Sequence, residues 1–271
     1  MILPRPRTLA GAVGLQVLLS DPADAVVAVD FDGTLAPIVA RPEDARPAPG
    51  TVEVLAALGA VVAGCAVVTG RAADEAVRLG GLDAVPGLVV YGHYGLQRWA
   101  DGRLDSPAPV AEIDSARAEL TELLASAPDG VHLEDKQHSL VLHTRPAADP
   151  AAALESLMPT VTDIAAKLGL ETVPGRFVVE LRPPGTDKGI AVRRLVEEAG
   201  AHVAVYVGDD LGDLAAFDAV DSMRAEGGGG LTVASLGADA PRELAQRADL
   251  TLDGPDAVVA FLRDLAATLA H

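Results

Sequence analysis

Aromatic residues are scarce in this chain, at 3%, and cysteine is almost absent, with Cys65 standing alone. A lone cysteine excludes an internal disulfide and a thiolate metal cage. Its place in the apolar run 64–68 marks it as a packing residue. With 49% hydrophobic residues but so few rings, the core must be built from Val, Leu and Ala, which suits buried parallel strands covered by Ala-rich helices. Basic residues are also short: 21 Lys and Arg face 39 Asp and Glu, a net charge of −18. That balance excludes a nucleic-acid partner, which needs a basic surface to displace counterions. An anionic ligand would be repelled as well, so local cations or a bound metal must reverse the field at any site that takes one.

A membrane-length apolar run is missing too. Residues 9–19 follow Arg5 and Arg7 in the manner of a signal-peptide core, but the stretch is too short to span a bilayer. It also contains Gln16 and two glycines, with no small-x-small cleavage site before Asp21. An amphipathic first helix is expected, in a monomeric cytoplasmic enzyme with no membrane partner.

The 271 residues suffice for a core domain carrying an insertion. Strand-length apolar runs alternate with amphipathic stretches through the first hundred residues, the pattern of right-handed βαβ units. Strands are predicted at 25–29, 65–68 and 88–91, and helices at 52–60 and 72–79. After Trp99 the pattern changes. Helices at 110–126 and 151–168 are separated from short strands at 131–134, 139–143, 170–173 and 177–181, which predicts an α+β insertion with an antiparallel sheet. The tail returns to α/β, with helices at 188–199, 213–220 and from 255, and strands at 203–207 and 231–234. Residues 227–230 read as a flexible glycine connection. The expected fold is α/β: a core from residues 1–105 and 183–271, and a cap domain at 106–182 hinged to close over substrate.

The sharpest motif is Asp30-Phe31-Asp32-Gly33-Thr34, directly after the apolar run 25–29. In an open parallel sheet, ligands bind beyond the carboxyl ends of the strands, so both carboxylates stand where chemistry is expected. Two residues apart, one can attack while the other protonates a leaving oxygen. Gly33 lets the chain turn sharply beneath a phosphate. A carboxylate attacking an anionic phosphoryl group calls for Mg²⁺ with oxygen ligands. Asp209, Asp210 and Asp213, after the apolar run 203–207, can supply further carboxylates, although an acidic turn before a helix is equally an N-cap. Thr69-Gly70-Arg71 follows another apolar run and offers a hydroxyl and backbone N–H groups to a phosphate oxygen, with a helix cap as the alternative. Lys188 opens a helix, where a cation opposes the helix dipole. It is one of only three lysines, with Lys136 and Lys167, and suits a compact charge beside phosphate.

These four segments, in this order, resemble the four motifs of the haloacid dehalogenase superfamily. The resemblance implies a Rossmann-like parallel-sheet core with an inserted C2-type cap. It also implies Asp30 as the nucleophile that forms an aspartyl-phosphate, and Asp32 as general acid and then base. Thr69, Gly70, Arg71 and Lys188 would bind phosphate. Mg²⁺ would be held by Asp30, Asp32 through its carbonyl, and Asp209, with Asp210 and Asp213 supporting it from behind. Within that superfamily the chain is similar to the trehalose-6-phosphate phosphatase family. The stretch DFDGTLAPIV continues into Arg41-Pro42-Glu43-Asp44-Ala45, and the cap carries Glu134-Asp135-Lys136, Ser139, His143-Thr144-Arg145, Gly175-Arg176 and Glu180-Leu181-Arg182-Pro183.

That similarity, over about residues 25–265, implies hydrolysis of trehalose 6-phosphate to trehalose and phosphate. Cap residues Lys136, Glu180 and Glu134, with Tyr94, would hold the sugar. A cross-strand ion pair is the competing account of Lys136 and Glu180, and core packing that of Tyr91, Tyr94 and Trp99. Other sugar phosphatases, and a non-catalytic sugar-phosphate sensor, remain the rival readings. The chain departs from the family pattern at Leu211-Gly212-Asp213-Leu214, where Thr-Asp-Glu is usual, and at Gly92-His93-Tyr94-Gly95, where Asn-His or Ser-His is usual between glycines.

Overall fold

A computed structural model describes residues 3–39, 41–175, 177–237 and 240–270; Arg176 of the quoted motifs lies outside them. In chain order the elements are α1 (Leu9–Ser20), β1 (Ala25–Val29), α2 (Thr51–Gly59), β2 (Gly64–Val68), α3 (Ala73–Gly80), β3 (Val89–Gly92), β4 (Gln97–Ala100) and β5 (Arg103–Asp105). There follow α4 (Ala111–Leu124), β6 (His132–Asp135), β7 (Leu140–His143), α5 (Pro150–Leu168), β8 (Glu171–Gly175) and β9 (Val178–Arg182). The chain ends with α6 (Lys188–Ala199), β10 (Val203–Gly208), α7 (Leu214–Ala225), β11 (Gly229–Ser235), α8 (Arg242–Arg247), β12 (Leu250–Leu252) and α9 (Gly254–Leu269). No helix among the described residues is long and apolar enough to cross a membrane.

Two compact units result. One runs to Ser106 and resumes at Asp187; the other is Pro107–Thr186. The second unit thus keeps residues 183–186, expected in the core, and the first keeps Ser106, expected in the cap.

The first unit holds an eight-stranded sheet in the order β12-β11-β10-β1-β2-β3-β4-β5. The six strands from β12 to β3 are parallel, and β4 and β5 extend the edge antiparallel. Side chains of β1 alternate faces as a strand requires. Ala25, Val27 and Val29 join a core with α1, α2, α3 and α9, while Val26 and Ala28 face a second core with α6, α7 and α8. Both faces are covered, which is why these strands read as unbroken apolar runs. Cys65, Tyr91 and Trp99 are buried, and burial pushes the Cys65 thiol up to about 12, so it stays an unreactive packing group.

The second unit is an antiparallel sheet, β6-β7-β9-β8, backed by α4 and α5. Leu140, Leu142, Val179 and Leu181 pack with Ile113, Leu120, Leu157 and Val161 to form its core. The alternate residues of the same strands form the sheet's other face.

Two expectations are corrected. Gly229 and Gly230 are buried residues of β11, not a flexible connection. The first helix is also not amphipathic in the expected sense, for α1 buries Gly11, Gly14 and Leu18 and exposes Leu9 and Val13. The reason is close approach. A Cβ on Gly14 would stand 1.7 Å from the Gly230 carbonyl oxygen, so the helix lies against the strand backbone through glycine. Beside this contact the Asp249 carboxylate accepts from the Thr8 hydroxyl, the Arg224 guanidinium and the Thr232 N–H and hydroxyl.

Gly14→Ala is expected to destabilise the fold by about 1–3 kcal/mol, because the added methyl forces backbone apart; urea denaturation measures this. Burial alone would raise the Asp249 carboxyl, but its Thr232, Thr8 and Arg224 partners outweigh burial and hold it below its ordinary value. A depressed native value supplies stability that is present above the unfolded carboxylate range, about pH 4, and is lost as pH falls through the native value. Between pH 5 and pH 2 the wild type should therefore lose stability more steeply than Asp249→Asn. Parallel urea midpoints for the two proteins would contradict this.

Candidate active site

The end of β1 sets the first group. β1 and β10 are adjacent and parallel, with Val29 opposite Val207, and the Asp30 N–H donates to the Val207 carbonyl at 2.9 Å. Asp30 and the Gly208–Asp209 step therefore leave the sheet side by side. The chain then turns back through Gly33, whose N–H reaches the Ala36 carbonyl at 2.7 Å. Gly33 has φ +76°, and a Cβ there would lie 1.9 Å from an Asp209 oxygen, so only glycine lets the two acidic loops approach. From β11 the buried Ser235 hydroxyl donates to the Gly33 carbonyl at 2.7 Å and fixes the turn.

Lys188, the first residue of α6 and only 4% exposed, brings the positive charge. Its Nζ lies 2.7 Å from Asp213 Oδ1 and 3.0 Å from Asp30 Oδ1. Asp213 is fully buried and saturated with donors. Its Oδ1 accepts from Lys188 and from the Tyr206 hydroxyl at 2.7 Å, and its Oδ2 accepts the Asp209 and Asp210 N–H groups at 2.8 and 2.9 Å. The departure at 211–214 has a structural answer here. Leu211–Asp213 form a tight 3₁₀ turn in which Asp210 and Asp213 cap each other's backbone, and Gly212 passes close to the Asp210 carboxylate.

Burial raises Lys188's difficulty in carrying charge, yet Asp213 and Asp30 overcome it and hold the ammonium well above its ordinary range. For Asp213, burial is likewise outweighed by Lys188 and the N–H donors, and its carboxyl is held low. Asp30 behaves oppositely. Burial, together with Asp213, Asp209 and Asp210, pushes it well up against the pull of Lys188. Asp209 is pushed to about 7 by burial and the same carboxylates.

The cluster is therefore short of positive charge. Ligand oxygens of Asp30, Asp209 and Asp213 lie within 4.8 Å of one another, with no sulfur or imidazole among them. An all-oxygen set with an unmet charge deficit fits a hard divalent cation such as Mg²⁺. Because Asp213 is already saturated, Asp30 and Asp209 are the side chains left to hold one.

Other predicted residues gather around this edge. The Arg71 guanidinium grips both oxygens of Asp32, at 2.6 and 2.8 Å, and reaches Glu75 at 3.2 Å. The Thr69 hydroxyl accepts the Arg71 N–H at 3.1 Å, and Thr34 lies 3.5 Å from Asp209. His93 and Tyr94 both take left-handed backbone, and their N–H groups tie to the Arg71 and Thr69 carbonyls. The Tyr94 hydroxyl lies 2.8 Å from where a Cβ on Gly70 would stand, so tyrosine covers that glycine.

Lys136, Glu134 and Glu180 belong to the second unit's sheet region. Glu134 and Glu180 share one face of it, both opposite Val141, while Lys136 follows β6. Sequence reasoning missed Tyr206 and Ser235. Each is a hydroxyl on a strand whose partner lies far along the chain or on the strand's own exit turn, and neither carries a local signature.

The trehalose-phosphatase family model matches residues 28–241. The trehalose-phosphate phosphatase of Mycobacterium marinum is 36% identical over 205 residues, covering 70% of this chain and 50% of its own length. That of Mycobacterium leprae is 33% identical over 257 residues, covering 89% and 57%. An uncharacterised glycosyl hydrolase of Mycobacterium tuberculosis is 38% identical over 208 residues, 72% of this chain and 15% of that protein. The chain thus spans about half the length of the phosphatases it matches, and far less of the hydrolase. Among solved structures, the C-terminal domain of Candida albicans trehalose-6-phosphate phosphatase superposes with a TM-score of 0.77 at 21% identity, covering 98% of this chain and 99% of the other. The Aspergillus fumigatus trehalose-6-phosphate phosphatase gives 0.70 at 21%, covering 98% and 100%. The fold is that of the haloacid dehalogenase-like hydrolases, and the chain belongs to the trehalose-phosphatase family.

Proposed function

We propose that this chain hydrolyses trehalose 6-phosphate to trehalose and inorganic phosphate, as a step of trehalose synthesis. The observation that carries the reading is the buried Asp30 carboxylate, 3.0 Å from the Lys188 ammonium, at the mouth of a carboxylate cluster short of positive charge. A carboxylate so placed is a nucleophile for a group that brings its own need for cations, which a phosphate monoester does.

In this reading an Asp30 oxygen attacks phosphorus and the bond to the sugar oxygen breaks, with Asp32 giving that oxygen its proton. Asp32 then takes a proton from the water that hydrolyses the aspartyl-phosphate, and phosphate leaves. Lys188, Thr69 and the backbone at Gly70 hold phosphoryl oxygens. Arg71, spent on Asp32 in the structure, joins them by exchanging that partner. Asp30, the Asp32 carbonyl and Asp209 would hold Mg²⁺, which offsets the negative charge gathered around the phosphoryl group when bound. Asp210 and Asp213 orient this set through the backbone and Lys188. Glu134, Lys136, Glu180 and Tyr94 take the sugar hydroxyls, since charged groups strengthen hydrogen bonds to a polyol.

A phosphate-release assay tests the chemistry. Asp30→Asn should lose at least about 10³-fold in kcat, and EDTA should abolish turnover that Mg²⁺ restores. Full activity in the variant removes Asp30 as nucleophile, and equal kcat/KM for glucose 6-phosphate removes the disaccharide. The electrostatic frame has its own test in urea denaturation. Asp213→Ala should cost about 3–5 kcal/mol, because it removes the nearer of the two carboxylates that pair with a buried ammonium. Tyr206→Phe, which keeps the edge contact with Phe217, should cost about 1 kcal/mol. Equal losses in the two variants would contradict the ranking.

A further inference from the structure

Ser235 is the last residue of β11 and is fully buried. Its strand is not next to β1, for β10 lies between them. The register pairs Gly208 with Ala234, so Ser235 stands beside the point where Asp209 leaves β10. Yet the Ser235 hydroxyl donates to the Gly33 carbonyl, in the turn after β1, at 2.7 Å. To meet it, that turn must cross the end of β10. The crossing brings Gly33 so near Asp209 that a Cβ would stand 1.9 Å from its Oδ2, and it places the buried Thr34 hydroxyl 3.5 Å from its Oδ1.

The same turn aims the Asp32 carbonyl. That carbonyl and the Gly33 N–H share one planar trans peptide and point in opposite directions. The N–H is tied to the Ala36 carbonyl at 2.7 Å, a bond within the turn that fixes its shape. The Ser235 bond is of another kind, since it joins the turn to a strand 202 residues later and fixes where the turn lies. A hard cation such as Mg²⁺ demands near-ideal octahedral geometry and tolerates little displacement of its ligands.

We propose that Ser235 is a positioning residue for the divalent-cation site: by holding the Gly33 turn across the end of β10, it sets the Asp32 carbonyl against the Asp209 carboxylate. This rests on the reading of Asp30, the Asp32 carbonyl and Asp209 as the groups that hold Mg²⁺. Ser235 touches neither cation nor phosphate in that reading and acts through Gly33 alone.

The test is titration of the full chain with MgCl₂, followed by the rise in its thermal midpoint, a measurement that needs no substrate and no turnover. Ser235→Ala is expected to weaken Mg²⁺ binding about tenfold, the scale for groups that orient metal ligands. Ser235→Thr, which keeps the hydroxyl, should recover most of that affinity. Val233→Ala leaves a cavity in the same buried strand, so it should lower the midpoint without Mg²⁺ but change Mg²⁺ affinity less than about twofold. If Ser235→Ala does not fold, Ser235→Cys, of similar shape and a weak donor, carries the comparison with the same expectation. Unchanged Mg²⁺ affinity in the folded variant, an equal loss in Val233→Ala, or no recovery in Ser235→Thr overturns the role of Ser235 while leaving the cation reading intact. If Asp209→Asn binds Mg²⁺ as tightly as the wild type, the cation reading fails and this inference with it.

Discussion

The buried ion pair between Lys188 and Asp213 is the constraint on which the rest of the first unit's site depends. Removing two charges from water costs several kcal/mol per ion, and their attraction repays this only when the remaining hydrogen-bonding capacity is met. Asp213 meets it fully, with Tyr206 from β10 and two backbone N–H groups from the turn before α7. Lys188 stands at the start of α6 against the helix dipole, so that helix, that strand and that turn are held in register by one carboxylate. Asp30, placed by the end of β1, then meets the same ammonium at 3.0 Å.

The same arrangement explains how a chain with a net charge of −18 can present a place for an anion. Lys188 has its charge divided between Asp213 and Asp30, and Asp209 and Asp210 add further negative charge nearby. The field at this edge is negative until a divalent cation joins it. A phosphate monoester and a hard cation therefore suit the site together better than either suits it alone.

Strand ends were legible because β1, β2, β3 and β10 are buried on both faces and so read as continuous apolar runs, each stopping at a polar tip. The helix from Lys188 to Ala199 was legible to the residue, since Asp187 caps it and Gly200 ends it in a left-handed turn. The edge strands β4 and β5 were not, because Arg98, Arg103 and Asp105 break the apolar pattern on strands that are partly exposed. Gly229 and Gly230 misled for a related reason. Glycine has poor strand propensity, and its use in β11 answers to α1, more than two hundred residues earlier. At the site, residue types and spacing gave Asp30, Asp209 and Lys188 as neighbours, but not that Arg71 is paired with Asp32, a partner 39 residues away.

The two units differ in how their charged groups are held. In the first, charges are buried, mutually dependent and few, so the loss of one member propagates to the others. In the second, Glu134 and Glu180 are met by different side chains of β7, His143 and Ser139. Groups held by separate donors can be altered one at a time without collapsing the set. If the second unit holds the sugar as proposed, single substitutions on this face would alter its hold one contact at a time, whereas the chemistry proposed for Asp30, tied to a buried Lys188 and Asp213, would change only as a whole.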